Sequence, residues 1–317
     1  MPRLVYADWL DEHGGPLHAA ILRAAPARRP ELAERLQTQM SEDAPCSFTA
    51  SLTDEGLVRV SVPVRSLRSK AFERGGPAWM RRHHVAEVHP DGTPGDWAGL
   101  FAAEWLAHAR GVSLPGRRFD ALEALAASPH VAGLASLTLP PNYYRPESFA
   151  ALFLELRGLC RLSRRGYYVP AEALRALVEA PFAPHLRHLH LASISNDGVP
   201  ILAGAAALAG LVTLGMTLHG DSEAKLLADA TGLGSLRNLD LSDSWFDDVG
   251  IDALAASPLL RRLRRLHLSP RRPSSSALAR LARAVAATPR CRLKLGETEP
   301  ERREALAAVL GDRLIVE

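Results

Sequence analysis

The sequence predicts an α/β chain: an array of stacked strand–turn–helix units, with parallel strands on a concave face, helices on a convex face, and a small helical domain in front. Three observations carry that prediction. A short apolar pattern, Leu-x-x-Leu-x-Leu, recurs along the C-terminal two thirds of the chain. Its copies are spaced almost evenly. Between them lie alanine- and leucine-rich stretches with helical periodicity.

The pattern is complete at Leu134-Leu137-Leu139, Leu186-Leu189-Leu191, Leu236-Leu239-Leu241 and Leu263-Leu266-Leu268, and ends in methionine at Leu211-Leu214-Met216. Two degraded copies fill the gaps: Leu159-Leu162 with Arg164 in the third slot, and Leu293-Leu295 with Arg290 in the first. First slots therefore fall at 134, 159, 186, 211, 236, 263 and 290, in steps of 25, 27, 25, 25, 27 and 27. One earlier copy fits at Ala109-Val112-Leu114, and Val85 with Val88 begins another. Helical stripes follow at 119–127, 171–179, 250–256 and 277–285, and Pro129, Pro181, Pro258 and Pro289 each stop one of them. One such unit cannot bury both its strand leucines and its helix stripe, so neighbours must stack into one continuous core.

This pattern resembles the leucine-rich-repeat family, and the repeat length is similar to its ribonuclease-inhibitor-like branch. The resemblance implies a solenoid of horseshoe type that binds partners, and it says nothing of chemistry. The family's turn asparagine is matched at Asn142, but Ser244 stands there in one repeat and Ile194, His219 and Arg271 in others. The asparagine ladder is thus mostly missing.

Upstream, Arg3-Leu4-Val5-Tyr6-Ala7-Asp8-Trp9-Leu10-Asp11-Glu12, Gly14 and Ile21-Leu22-Arg23 resemble a small bacterial repeat-companion domain with no established activity. Two short helices should break at Gly14-Gly15-Pro16, and a third should start at Pro30. Met1 lies unusually close to this motif, which allows a start codon upstream. Residues 46–84 read as a junction and N-terminal cap, with a hairpin around Asp54-Glu55-Gly56. The expected organisation is a helical companion domain over 1–45, the junction over 46–84, and the repeat array over 85–317.

Composition excludes several function classes. Of 317 residues, 47% are hydrophobic, enough for a large core, and 38 basic against 35 acidic residues leave a net charge of +3. That is too small to point to nucleic acid or a membrane by charge alone. Only Lys70, Lys225 and Lys294 are lysines; together with the alanine content this points to a GC-rich genome, so arginine number is discounted as a signal. Cys46, Cys160 and Cys291 are too few and too scattered for a disulfide framework or a zinc site. Neither a secretory signal nor a membrane-spanning stretch is legible, which makes the cytoplasm the default.

Alternation along each strand sends the residues between the leucines outward. The candidate partner-binding residues are His188, His190, Asn238, Asp240, Arg265, His267, Arg292 and Lys294, flanked by Ser136, Thr138, Arg161, Ser163, Thr213 and Gly215. The face is basic toward its C-terminal end, with Asp240 near the middle, and suits a protein partner carrying acidic groups.

His185, His188, His190 and His267 suggest a metal at first sight. Three strand steps, roughly 14 Å, separate His190 from His267, too far for one ion. Asp8, Asp11, Glu12 and His13 lie on a short exposed helix with no cleft to perturb them, and are expected to form a solvated face or contacts holding their domain together. Ser242-Asp243-Ser244 and Asp247-Asp248 should cap the following helix. No nucleophile motif, phosphate loop or dinucleotide fingerprint occurs, so the sequence predicts no enzyme and no cofactor. Tyr143-Tyr144 and Tyr167-Tyr168 could form an aromatic patch at the turns. The competing function is nucleic-acid binding along Arg261–Arg272 and Arg290–Lys294. Nothing in the sequence names the partner or the oligomeric state.

Overall fold

The computed structural model describes residues 3–24, 28–52, 57–92, 95–114, 120–140, 145–164, 166, 168–195, 197–269, 273–296 and 300–316. These fall into two compact units, Met1–Pro140 with Glu155–Gly158, and Pro141–Leu154 with Leu159–Glu317.

The first unit opens with helices Arg3–Glu12, Pro16–Arg23 and Arg29–Ser41. The break falls at the expected glycine pair: Gly14 takes a positive φ of 86° that a side chain would resist, and Pro16 starts the next helix, where its missing N–H costs nothing. Ala7, Leu10, Ala19 and Leu22 pack into one small core with Trp9 against it. Arg23 bridges Asp8, at 2.5 Å, and Asp11, so two of the acidic residues hold adjacent helices together.

Strands β1 (Thr49–Leu52) and β2 (Val58–Pro63) pair antiparallel as the expected hairpin, although its turn residues 53–56 lie outside the described residues. Strand β2 then pairs in parallel with β3 (Val85–Asp91), so the parallel ladder starts inside the stretch read as a junction. It continues through β4 (Gly111–Ser113) and β5 (Ser136–Leu139). The two upstream copies, at Val85 and Ala109, are therefore strands of the array. Between them pack helices Lys70–Arg82, Trp97–Ala102, Trp105–His108 and Asp120–Ala126.

The second unit repeats one unit six times. Its strands are β6 (Arg161–Arg164), β7 (His188–Ser193), β8 (Thr213–Thr217), β9 (Asn238–Leu241), β10 (Arg265–Leu268), β11 (Arg292–Leu295) and a last β12 (Leu314–Val316) that the leucine pattern did not reveal. They pair in parallel and in chain order. Helices Ala171–Glu179, Gly198–Gly204, Asp221–Ala228, Asp248–Ala256, Ser275–Ala286 and Pro300–Leu310 alternate with the strands. The slot leucines 186, 189, 191, 236, 239, 241, 263, 266 and 268 are all buried. A parallel ladder of strands alternating with helices, built on this leucine register, is the α/β leucine-rich-repeat solenoid.

The degraded third slot is accommodated rather than left empty. Arg164 is buried, its guanidinium lies 5.2 Å from the Phe149 ring centre, and it donates to the Tyr168 carbonyl at 3.2 Å. One of the missing asparagines is also replaced. Ser244 accepts from the Leu218 amide at 3.0 Å and donates to the Met216 carbonyl at 3.4 Å, tying its turn to the preceding repeat. Asn142 and Arg271 lie outside the described residues.

Helix ends follow a different rule from the one expected. The Asp247 side chain does not cap its own helix. Instead Asp221, one repeat earlier, accepts from the amides of Asp247 at 2.9 Å and Gly250 at 2.8 Å. Asp248 does the same for the next repeat, accepting from the Ser274 amide at 2.7 Å. Ser257, buried, reaches the Ala228 carbonyl of the preceding repeat while accepting from the Leu259 amide at 2.9 Å.

Candidate functional site

Parallel pairing aligns the outward residues of β6–β11 in two rows. The first runs Arg161, His188, Thr213, Asn238, Arg265, Arg292; the second runs Ser163, His190, Gly215, Asp240, His267, Lys294. All eight candidate partner-binding residues stand in these rows. His190, Arg265 and Arg292 are exposed, and His188, Asn238, Asp240, His267 and Lys294 are half-buried.

The rows are partly organised from within. Asn238 donates to the Thr213 hydroxyl at 3.3 Å. Gly215 leaves room for its neighbour, since a Cβ there would collide with the His190 ring. Asp240 meets His267 Nδ1 at 3.0 Å and accepts from the Ser242 amide at 3.0 Å. Burial pushes the Asp240 carboxyl up, but the hydrogen bonds from His267 and Ser242 outweigh it and hold the group well below the ordinary carboxylate range. At neutral pH the one acid of the rows is thus an anion set among arginines, imidazoles and a lysine. His267 Nε2, buried, has no hydrogen-bond partner.

His190 and His267 stand three strands apart, with Gly215 and Asp240 between them, so the row does not gather them on one ion. Among the described residues no trio of metal-ligating side chains assembles.

The same outward slots close over in the first unit. Ser136 and Thr138 of β5 are buried, because Glu87 of β3 reaches over them. Its carboxylate accepts from the Ser136 hydroxyl at 2.7 Å, from Thr138 at 3.1 Å and from Arg59 Nε of β2 at 2.7 Å. The side chain crosses β4 at Gly111, where a Cβ would stand 2.9 Å from the Glu87 Cγ. Leucine spacing does not reveal this network. The signals were a lone glycine in a strand and an acid in an outward slot.

Of two exposed aromatics, Tyr168 belongs to the expected aromatic patch and Trp245 was not anticipated. Trp245 and Tyr168 stand at the same phase, four residues past the third slot of β9 and β6, and are 56% and 47% exposed. Exposed aromatics at one edge are favoured contact residues in interfaces. Tyr143, Tyr144 and Tyr167 lie outside the described residues.

No protein-family model matches the chain, and no curated protein matches it. Among solved structures, the chain is similar to an internalin (inlF) from Listeria monocytogenes, with a TM-score of 0.34 and 13% identity, covering 81% of this chain and 95% of the internalin. It is similar to the TLR13–ssRNA13 complex with a TM-score of 0.34 and 14% identity, covering 74% of this chain and 39% of that one. At such scores the likeness carries no argument about this chain. Its class rests on its own leucine register and parallel ladder.

No helix among the described residues is long and apolar enough to cross a membrane.

Proposed function

We propose that the chain is a non-catalytic scaffold that binds a protein partner through the outward face of β7–β11, with residues 1–45 as a repeat-companion domain and 85–317 as the working array. The observation that supports this best is the pair of in-register rows. His188, His190, Arg265, His267, Arg292 and Lys294 surround the single carboxylate of Asp240, a pattern complementary to an acidic partner surface with one basic contact. Repeat arrays present such extended surfaces because each unit adds one strand to the same face. Tyr168 and Trp245 supply rigid apolar contact at its edge. Ser242 hydrogen-bonds Asp240 rather than His267, and the His267 Nε2 that would have to act as a base is buried, so the reading includes no reaction and no cofactor. It places the chain in the cytoplasm of a bacterium.

The experiment is affinity capture from lysate with wild type and with a variant carrying Arg265→Glu, Arg292→Glu and Lys294→Glu. The interaction is then reconstituted with the purified captured protein. Loss of an acidic partner by a variant that unfolds at the wild-type temperature supports the reading. Equal capture by both proteins moves the site off this face. Recovery of nucleic acid with steep salt dependence replaces the reading with its competitor.

A further inference from the structure

We propose that the N-terminal edge of β9–β11 holds a second binding site, for a compact phosphate-class anion. A cavity of about 370 Å³ opens there, lined by Arg237, Arg261, Arg262, Arg264 and Arg290, with no carboxylate and no aromatic ring in its wall. It lies at the strand ends and not on the outward face, so it is independent of the scaffold reading.

The local fold brings these arginines together. Arg237 and Arg264 each immediately precede a strand, and the Arg237 carbonyl accepts from the Arg264 and Arg265 amides at 2.6 and 3.1 Å. The Arg264 carbonyl accepts from the Arg292 amide at 3.0 Å, which fixes the next repeat alongside. Arg261 and Arg262 occupy the turn Leu260–Arg262, just ahead of β10. Five arginines from three neighbouring repeats therefore line one concavity.

Arginines near strand ends often serve the backbone, and this chain shows what that looks like. Arg313 donates to the carbonyls of Val285, Thr288 and Ala286 at 3.0–3.2 Å, closing a helix end. Arg187 donates to Gly210 at 2.9 Å, and Arg237 itself spends one nitrogen on Leu236 at 2.8 Å. Arg261, Arg262, Arg264 and Arg290 form no side-chain hydrogen bond or ion pair with any described residue. The Arg262 Nε is buried without an acceptor. That atom faces the protein, but the charges of the four arginines have no counter-charge among the described residues, which an anion in the cavity would supply.

Guanidinium forks match phosphate oxygens in pairs, and several of them stabilise a multiply charged anion far better than a halide. The cavity suits a group of pyrophosphate size. A nucleic-acid strand would gain stacking on aromatic side chains, and this wall has none.

The test is calorimetric titration of the full chain with sodium pyrophosphate at constant ionic strength in chloride. Three proteins are compared: wild type, the groove variant Arg261→Ala/Arg264→Ala/Arg290→Ala, and a control variant Arg35→Ala/Arg157→Ala/Arg303→Ala that removes the same charge elsewhere. Saturable binding by wild type, weakened at least about tenfold in the groove variant and within about twofold in the control, is the expected result. A second measurement needs no variant: pyrophosphate should raise the wild-type Tm, and sodium chloride of equal ionic strength should not. Absence of saturation, absence of the Tm rise, or equal weakening in both variants overturns the proposal. Tighter binding of a mixed-sequence single-stranded oligonucleotide, lost in the groove variant, also overturns it in favour of nucleic acid.

Discussion

In the first unit the outward slots of β3 and β5 close over the buried Glu87 carboxylate, and in the second unit the corresponding slots of β7–β11 form an open charged face. The repeat register is the same in both. What differs is one long acid beside one glycine: Glu87 crosses Gly111 and satisfies Ser136, Thr138 and Arg59 at once. In the second unit Gly215 plays a similar spatial part for His190, but that ring stays exposed. An outward slot therefore defines a direction, and its neighbours decide whether water reaches it.

Substitutions can break this comparison. The inward leucines should not distinguish the units. Leu137→Ala and Leu239→Ala should each cost about 3–5 kcal/mol in denaturant unfolding, because both are fully packed strand leucines. A near-neutral effect at either would refute the register there.

The outward slots should differ. Glu87→Ala strips a buried network of its acceptor and leaves Arg59 half-buried without its carboxylate, so we expect a loss of about 3 kcal/mol. The matched pair of glycines sharpens the contrast. At Gly111 a Cβ would stand 2.8 Å from the Ala86 carbonyl oxygen, which is backbone and cannot swing aside. Gly111→Ala should cost about 2 kcal/mol, whereas Gly215→Ala meets only the His190 ring and should cost under about 0.5 kcal/mol. Equal effects would show that the two faces are not distinguished by how tightly their glycines are enclosed.

Asp240 should also give a small effect. Its carboxylate is partly solvated, so Asp240→Asn should cost below about 1 kcal/mol at pH 7. Its folded-state pKa lies below the unfolded value of about 3.9, so its contribution is complete above that pH and fades as the pH falls below it. Wild type and variant should converge in stability at acid pH. A difference that persists unchanged there would remove ionisation from the account.

The inward half of the architecture was legible because a leucine at every third slot repeats identical chemistry at a nearly constant interval. The outward rows followed from strand alternation, and pairing places Asp240 beside His267 as adjacent slots must be. A row position alone does not show that an imidazole and an amide converge on Asp240. The Glu87 network was hidden for the same reason: it depends on a side chain crossing an intervening strand. Strand β12 was missed because Leu314-Ile315-Val316 lacks the leucine slots. Counting arginines taught nothing, while their places ahead of β9, β10 and β11 define a cavity.

The cross-repeat caps bear on how such an array can change over generations. Asp221 closes the helix start of the following unit, and Asp248 secures Ser274 in the unit after that. A duplication that copies one unit whole carries an acceptor for its successor and amides for its predecessor to satisfy, so it propagates in frame. A deletion that joins units lacking these aspartates strands the amides of Gly250 or Ser274 at the new seam. Growth and loss of this lineage's repeats are thereby biased toward whole units with compatible neighbours, although every unit has much the same backbone.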